Sequence, residues 1–352
     1  MVMSVLDEGY LGMGRFVESF EKKLSQFFNR DTSCVVNGTA AIQLALQAAG
    51  IERNDEVLVP SLTYVASYQA ISATGAIPVS CDITKDNLCL DPKQIESRIT
   101  KKTKAILAVH YAGEAGNIDE ILTIAKKYHL RVIEDAAHAF GSSHKGRLVG
   151  SFGDIACFSF DGIKNITSGE GGCIVSGDKK IIEKVNELRL LGVLGDSKQR
   201  FLGKRSWDFE VNEQGWRYHM SNIMAAIGIE QFNKKEILFK KRQNLAKSYD
   251  KLLINSKVDI LKKNYNLIVP HIYPIILPKA SNRNILRQNL LDCGIETGVH
   301  YKPNHLLNLY KKINHNLPIT KNLQDRILTL PLHPGLTNKD IEKVVSCLET
   351  NL

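Results

Sequence analysis

One lysine stands where an amine could meet a carbonyl. Lys164 follows a β-like run at residues 155–160 and precedes a glycine cluster, Gly169-Glu170-Gly171-Gly172, and a second β-like run at 173–176. An amine between two buried strands is poorly placed for surface charge. It is well placed for imine formation, which needs a site away from bulk water. A hairpin loop with an exposed lysine is the competing reading. The glycine cluster reads as the point where the chain turns tightly to re-enter the sheet, not as a phosphate cradle.

Three further places carry matching chemistry. Asn37-Gly38-Thr39 follows a short β-like run at 33–36 and opens a helix that closes at Gly50. A strand, a small-residue turn and a helix N-terminus together offer free backbone N–H groups to an anion. Gly38 lets the backbone come close, and the Thr39 hydroxyl adds a hydrogen bond; simple capping by Asn37 or Thr39 explains the same residues. Asp135 ends the run Val132-Ile133-Glu134 and precedes Ala136-Ala137-His138. A carboxylate emerging there needs a cationic partner, or its pKa rises. It reads as an N-cap, as half of a buried ion pair, or as the counter-ion of a heteroaromatic cation. Tyr64 supplies an aromatic face. Pyridoxal 5'-phosphate uses all four features: its phosphate is held, its ring stacked, its ring nitrogen kept protonated and its aldehyde bound by an amine.

The elements that must position these groups alternate along the chain. Residues 15–28 read as an amphipathic helix with Phe16, Phe20, Leu24 and Phe27 on one face. Strands at 57–59, 77–80, 104–110 and 130–134 are separated by helices at 65–74, after the Asp91-Pro92 cap, and at 118–128. That alternation implies a largely parallel sheet with covered faces. Ligands of such sheets sit beyond the carboxyl ends of the strands. The rule gathers Gly38-Thr39, residues 61–64, His110, Asp135 and residues 159–164 at one edge. After Gly177 a helix runs to about residue 191, and the polar stretch 195–214 forms an excursion over the site. Residues 220–254 are strongly helical and lead into a second domain, where 267–277 and 295–301 read as strands and 283–292 and 339–348 as helices. The expected domains are residues 1–230, which bind the cofactor, and residues 231–352.

Composition narrows the class. The chain has 352 residues, 43% hydrophobic and 24% charged, enough for a large domain plus a smaller one. Its longest apolar runs are too short to span a bilayer, and its first residues lack a signal-peptide pattern. Seven cysteines without a CxxC pair fit reduced thiols in a cytoplasm. The net charge of +9 comes from lysines spread over many helices, densest at Lys234-Lys235, Lys240-Lys241-Arg242 and Lys262-Lys263. Without a nucleic-acid motif, attraction for an anionic small substrate accounts for it at least as well. No G-x-G-x-x-G follows the first strand, which disfavours a dinucleotide-dependent dehydrogenase.

Further segments run in order along nearly the whole chain. They are Asn37-Gly-Thr-Ala-Ala, Val59-Pro-Ser-Leu-Thr-Tyr64, Ile133-Glu-Asp-Ala-Ala-His138, Val149-Gly-Ser-Phe-Gly-Asp154, Phe158-Ser-Phe, Lys164 and Gly169-Glu-Gly-Gly172. Gly215-Trp-Arg-Tyr-His-Met-Ser221 leads into Ala225-Ala-Ile-Gly228, and Gly298-Val-His-Tyr301 and Leu330-Pro-Leu-His-Pro-Gly335 follow. With these residues the sequence resembles the DegT/DnrJ/EryC1/StrS sugar aminotransferase family of fold-type-I pyridoxal-phosphate enzymes. The resemblance implies an aspartate-aminotransferase-like α/β fold. Its large domain would carry a mostly parallel seven-stranded sheet between helices, with a smaller α+β C-terminal domain, and two copies would form a homodimer.

The resemblance also implies roles. Lys164 is the Schiff-base lysine and then the base and acid of the proton shift, and Asp135 bonds the pyridine nitrogen. Tyr64 stacks on the ring; Gly38, Thr39 and Ser159 hold the phosphate. His138 matches a position near the ring oxygen, with a satisfied core histidine as its other reading. Arg217 stands where many members carry asparagine, and His219 replaces an arginine. The family's asparagine reaches the phosphate of the neighbouring subunit, so Arg217 is expected to act in the partner's site as a charge-assisted donor. Relatives usually have a further stretch of chain before the segment at 9–14.

The implied activity moves an amino group from an amino acid, usually glutamate, to a keto group of a nucleotide-linked deoxysugar, C-4 slightly ahead of C-3, in surface-polysaccharide synthesis. Residues 195–214 and the loop at 301–305 would read that sugar. A pyridoxal-dependent sugar 3-dehydratase of the same family carries histidine in place of the lysine, so Lys164 argues against it. A non-catalytic regulatory protein on the same fold is disfavoured by Lys164, Asp135 and Tyr64 together. Neither nucleic acid, membrane nor metal is expected as a partner.

Overall fold

Short apolar runs set the central sheet of the computed structural model, which describes residues 1–204, 207–311 and 316–352. The strands are β1 (Asp31–Val35), β2 (Glu56–Pro60), β3 (Ile77–Cys81), β4 (Thr103–Val109) and β5 (Arg131–Asp135). A small hairpin, β6 (Ser143–His144) and β7 (Arg147–Leu148), precedes β8 (Ile155–Ser159) and β9 (Gly172–Ser176). Seven of them form one sheet in the order β1-β9-β8-β5-β4-β2-β3. Every residue of β8 and β9 is buried, as strands covered on both faces must be. Alternate residues serve two cores: Leu58, Ala156 and Val175 enter one, and Val57, Val59, Ile155 and Ile174 the other. The first core gathers the helix Arg15–Phe28 and the rings of Phe140, Phe158 and Phe160; the second takes Leu44, Tyr68 and Val185 from the helices opposite.

β2, β3, β4, β5 and β8 run parallel, whereas β9 is antiparallel to both β8 and β1. That single reversal has a chemical consequence. The chain leaving β8 must turn back at the carboxyl edge of the sheet, and the turn is the stretch that contains Lys164. Gly172 closes it. A Cβ there would lie 2.7 Å from the Asn37 carbonyl, so only glycine lets β9 re-enter beside the start of the Gly38–Ala48 helix.

The C-terminal part builds a second, antiparallel sheet in the order β10 (Asp259–Ile260), β11 (Tyr273–Ile276), β12 (Ile327–Leu330). Helices Lys235–Leu253, Arg283–Asp292 and Asn338–Thr350 cover it around Leu245, Tyr249, Leu286, Leu328 and Val344. Thr337 and Asp340 open the last helix with a reciprocal capping box.

Two expectations need correction and two gain detail. Residues 295–301 are not a strand: Gly298 makes one bridge to Thr329, and the chain then bends so that His300 and Tyr301 line a cavity. The third strand is β12 instead. Of 267–277, only Tyr273–Ile276 joins the ladder. The helical stretch 220–254 is two helices, Asn222–Asn233 and Lys235–Leu253, because Lys234 at φ −95°, ψ 2° leaves helical geometry. The excursion at 195–214 contains a short helix, Asp196–Phe201, and its residues 205 and 206 lie outside the described ones. All seven cysteines are free, five of them buried. No helix among the described residues is long and apolar enough to cross a membrane.

Candidate active site

A cavity of about 410 Å³ opens at the carboxyl edge of the large sheet. Gly38, Thr39, Tyr64, Asp135, His138, Ser159 and Lys164 all line it. At one end the Gly38–Ala48 helix begins. Asn37 caps it, its side chain accepting from the Ala40 N–H at 2.8 Å and its carbonyl from the Ala41 N–H. The N–H groups of Gly38 and Thr39 precede these bonds and have no acceptor within the helix. A Cβ on Gly38 would meet the Ser159 Cβ at 2.9 Å, so glycine is what lets the helix start sit against the end of β8. Backbone amides, a helix dipole and the hydroxyls of Thr39 and Ser159 thus converge as an anion cradle. Capping and cradle are compatible, because they use different N–H groups.

Asp135 is buried at the end of β5. Its Oδ2 accepts from Ser67 Oγ at 2.7 Å and its Oδ1 from the Ala137 N–H at 3.3 Å. Burial raises its carboxyl above the usual range, against the pull of those donors and of Lys164. Its hydrogen-bond donors are neutral, so a cation brought into direct contact with this carboxyl would be stabilised. His138 Nε2 is 2.8 Å from Tyr301 Oη, while its Nδ1 is buried without a partner. Burial, with Lys164 and His300 nearby, holds that imidazole neutral. Tyr64 is 57% exposed and its ring lies 5.5 Å from that of Tyr301, leaving a face free for another ring.

Burial brings the Lys164 amine down to about 8, with Asp135 and Asp161 opposing and Arg242 assisting. The lysine turn is held from behind. Arg242 donates to the carbonyls of Ile163 and Lys164 at 3.1 and 3.4 Å, and to those of His271 and Leu332 at 3.1 and 3.0 Å. Lys164 Nζ lies 3.4 Å from His271 Nε2. A second cavity, about 750 Å³, lies on this side and shares Ile163, Lys164 and His300 with the first.

One expected neighbour is elsewhere. His110 does not line the cavity; it is fully buried, hydrogen-bonded to Glu134 Oε2 at 2.8 Å and to the Ala115 carbonyl at 3.2 Å. Glu134 also accepts from the N–H groups of Gly150, Phe152 and Gly153, so the pair is a structural knot under the sheet edge. Arg217 bridges Leu190 and borders a small hollow with Trp207 and Phe209, and it does not reach the cavity of its own chain. His219 bridges Val35, and burial beside Arg200 and Arg217 pushes its ring down to about 4.

Sequence reasoning missed Ser67, Arg242 and His271. Arg242 carried a signal, since it sits on the buried stripe Phe239, Ala246, Tyr249 and Leu253 of its helix. His271 is the single histidine in the apolar run 267–277. Ser67 had none beyond its place in the first turn after Tyr64. Around one cavity stand a helix start able to hold an anion, a buried carboxyl bonded only to neutral donors, a free aromatic face and an amine of lowered pKa. A phosphorylated, nitrogen-protonated aromatic aldehyde meets all four, so the residues present fit such a group.

Comparison with known proteins agrees. The model of the DegT/DnrJ/EryC1/StrS aminotransferase family matches residues 1–349. GDP-perosamine synthase of Escherichia coli O157:H7 is 37% identical over 332 residues, covering 93% of this chain and 88% of that protein. Among solved structures, the putative sugar aminotransferase Spr1654 from Streptococcus pneumoniae, in its PLP form, has a TM-score of 0.91 at 29% identity, covering 99% of this chain and 94% of that one. PseC of Helicobacter pylori, an aminotransferase involved in the biosynthesis of pseudoaminic acid, has a TM-score of 0.91 at 27% identity with the same coverage, 99% and 94%.

Proposed function

The chain belongs to the DegT/DnrJ/EryC1/StrS aminotransferase family, and from that premise we propose a pyridoxal-phosphate-dependent sugar aminotransferase. It takes the amino group of an amino acid, L-glutamate, and delivers it to a keto group of a nucleotide-linked deoxysugar, C-4 ahead of C-3, in amino-sugar and surface-polysaccharide synthesis. The carrying observation is the pairing, across one cavity, of an amine brought down to about 8 with a buried carboxyl hydrogen-bonded only to neutral donors.

When bound, the cofactor supplies an electron sink that stabilises negative charge at the amino carbon. The N–H groups of Gly38 and Thr39, with the hydroxyls of Thr39 and Ser159, would hold its phosphate. Asp135, steadied by Ser67, would keep the ring nitrogen protonated, and Tyr64 would cover one ring face. His138, with its unpaired Nδ1, would serve the ring oxygen. Lys164 then acts as base and acid. With its pKa near 8, a useful fraction is neutral at physiological pH, so Nζ can take a proton from the donor's amino carbon and return one to the acceptor carbon.

The excess of basic residues, +9 overall, favours anionic partners, and both glutamate and a nucleotide sugar are anionic. The relative named GDP-perosamine synthase supports a nucleotide-linked acceptor. C-4 rests on general similarity within the family. Arg217, away from its own cavity, is assigned to the partner's site in a cytoplasmic homodimer. Residues 1–230 and 231–352 are taken as the two domains.

The test is spectroscopic and then chemical. Purified protein loaded with the cofactor should show a visible band that glutamate bleaches, and a panel of 4-keto and 3-keto nucleotide sugars should restore it, the 4-keto compounds faster. Lys164→Ala retaining both the band and the turnover would overturn the assignment. Mixing Lys164→Ala with Arg217→Ala chains should recover part of the activity, and hybrids without any would remove Arg217 from the partner's site.

A further inference from the structure

The side of Lys164 away from Asp135 is built with as much care as the side that faces it. His271 is 3% exposed and comes from the segment just before β11, 107 positions along the chain from Lys164. Its Nε2 lies 3.4 Å from Lys164 Nζ, and its Nδ1 has no protein partner. Both ends of this contact are fixed by one group: the buried Arg242 guanidinium donates to the His271 carbonyl and to the carbonyls of Ile163 and Lys164. The imidazole plane is fixed as well, packed on His138 with ring centroids 4.6 Å apart, and His138 is anchored in turn by Tyr301 Oη. A backbone clamp and a tilted ring contact that register one nitrogen on one amine are more than a buried histidine needs.

We propose that His271 is the positioning residue of the reactive lysine, its neutral Nε2 accepting a hydrogen bond from Lys164 Nζ and holding the amine in place between proton transfers. The inference rests on the reading of Lys164 as the reactive amine. With Nε2 as acceptor, the ring proton sits on Nδ1. Burial, Lys164, His138, Arg242 and His300 all disfavour a charge on this ring, so it stays an acceptor through the working pH range. The groups bearing on the amine itself are Asp135 and Asp161, which favour its charge, and Arg242, which opposes it; charge on the nearby His138 and His300 rings is disfavoured too. A neutral acceptor favours the ammonium form, and an apolar replacement would leave that form less solvated.

The experiment compares His271→Leu, His271→Asn and the unaltered chain, each checked for native unfolding behaviour. In the cofactor-free protein, the pH dependence of Lys164 acetylation by acetic anhydride is read by peptide mass spectrometry. His271→Leu should lower the apparent pKa of Lys164 by about one unit, the size of one hydrogen bond to a charged group. His271→Asn, which retains an acceptor, should restore part of the shift. With loaded enzyme, kcat should fall roughly tenfold in His271→Leu because the amine is no longer held in place, while KM for the sugar stays within a factor of two or so. An unchanged Lys164 titration or an unchanged kcat in folded His271→Leu would overturn the proposal. Lys164→Ala separates the two claims: if it still turns over, the reading of the lysine has failed; if it is dead while the His271 variants behave as the unaltered chain, only this inference has.

Discussion

The two sides of Lys164 are made of different material. The front wall comes from the large sheet and its first helices, and it balances charge: the buried Asp135 carboxylate, an anion cradle at Gly38 and Thr39, and an open tyrosine face. The back wall comes from the helix Lys235–Leu253 and the segments around His271 and His300, and its ionisable groups next to the lysine are one guanidinium and imidazoles kept neutral by burial. The front is arranged to receive something with complementary charge, whereas the back is arranged to hold the turn still. Function and stability should therefore separate when the two sides are altered one at a time.

Asp135→Asn gives the largest expected effect, because it removes charge from the front while keeping shape and hydrogen-bonding capacity. Turnover should fall by roughly 10²-fold or more, the scale of losing one preorganised electrostatic partner, while the thermal midpoint stays within a degree or two. A comparable loss of stability would place Asp135 on the holding side. Arg242→Met is the mirror experiment. It strips the donor from four carbonyls, two of those bonds buried and two partly so, and denaturant titration should show a loss of about 3 kcal/mol. If stability is unaffected, the clamp is not what holds the lysine turn.

The third prediction concerns pH. Only a neutral amine attacks an aldehyde, so capture of pyridoxal phosphate by the cofactor-free chain should rise through pH 8 and then level off, following the lowered Lys164. A rate that keeps climbing toward 10.5 would mean that the amine behaves as an exposed lysine. The smallest effect belongs to Tyr64→Ala. Losing one stacked ring should weaken cofactor binding by roughly 3- to 10-fold, about 0.5–1.5 kcal/mol, as read by equilibrium titration. A larger loss would show that Tyr64 does more than cover a face.

The front wall was legible in the sequence and the back wall was not, for physical reasons. Asn37-Gly38-Thr39, Asp135 and Lys164 lie at strand ends, where a parallel sheet collects its ligand-binding residues whatever the details of packing. Periodicity likewise placed the helices at Arg15–Phe28, Ile118–Tyr128 and Arg283–Asp292, since each has a clear apolar face and a stop signal. Arg242 stood beside Lys240 and Lys241 and counted only as part of a basic run, yet its position three residues after Phe239 puts it on the buried face. Its partners lie 29 to 90 residues away, beyond the reach of any local pattern. The strand at Ile327–Leu330 is only four residues long, and the alternation at 295–301 imitated it. Local alternation cannot say which of two nearby extended segments wins the ladder, because that depends on a pairing with β11 set by the whole small sheet.

The claim on which everything turns is that Lys164, and no other lysine, is the amine that meets the cofactor's aldehyde. Loading the protein with pyridoxal phosphate, reducing it with borohydride and mapping the label by peptide mass spectrometry tests this directly. One labelled site, Lys164, is expected, with labelling lost in Lys164→Ala. Label on a different lysine, or none at all in a folded and loaded protein, would contradict it.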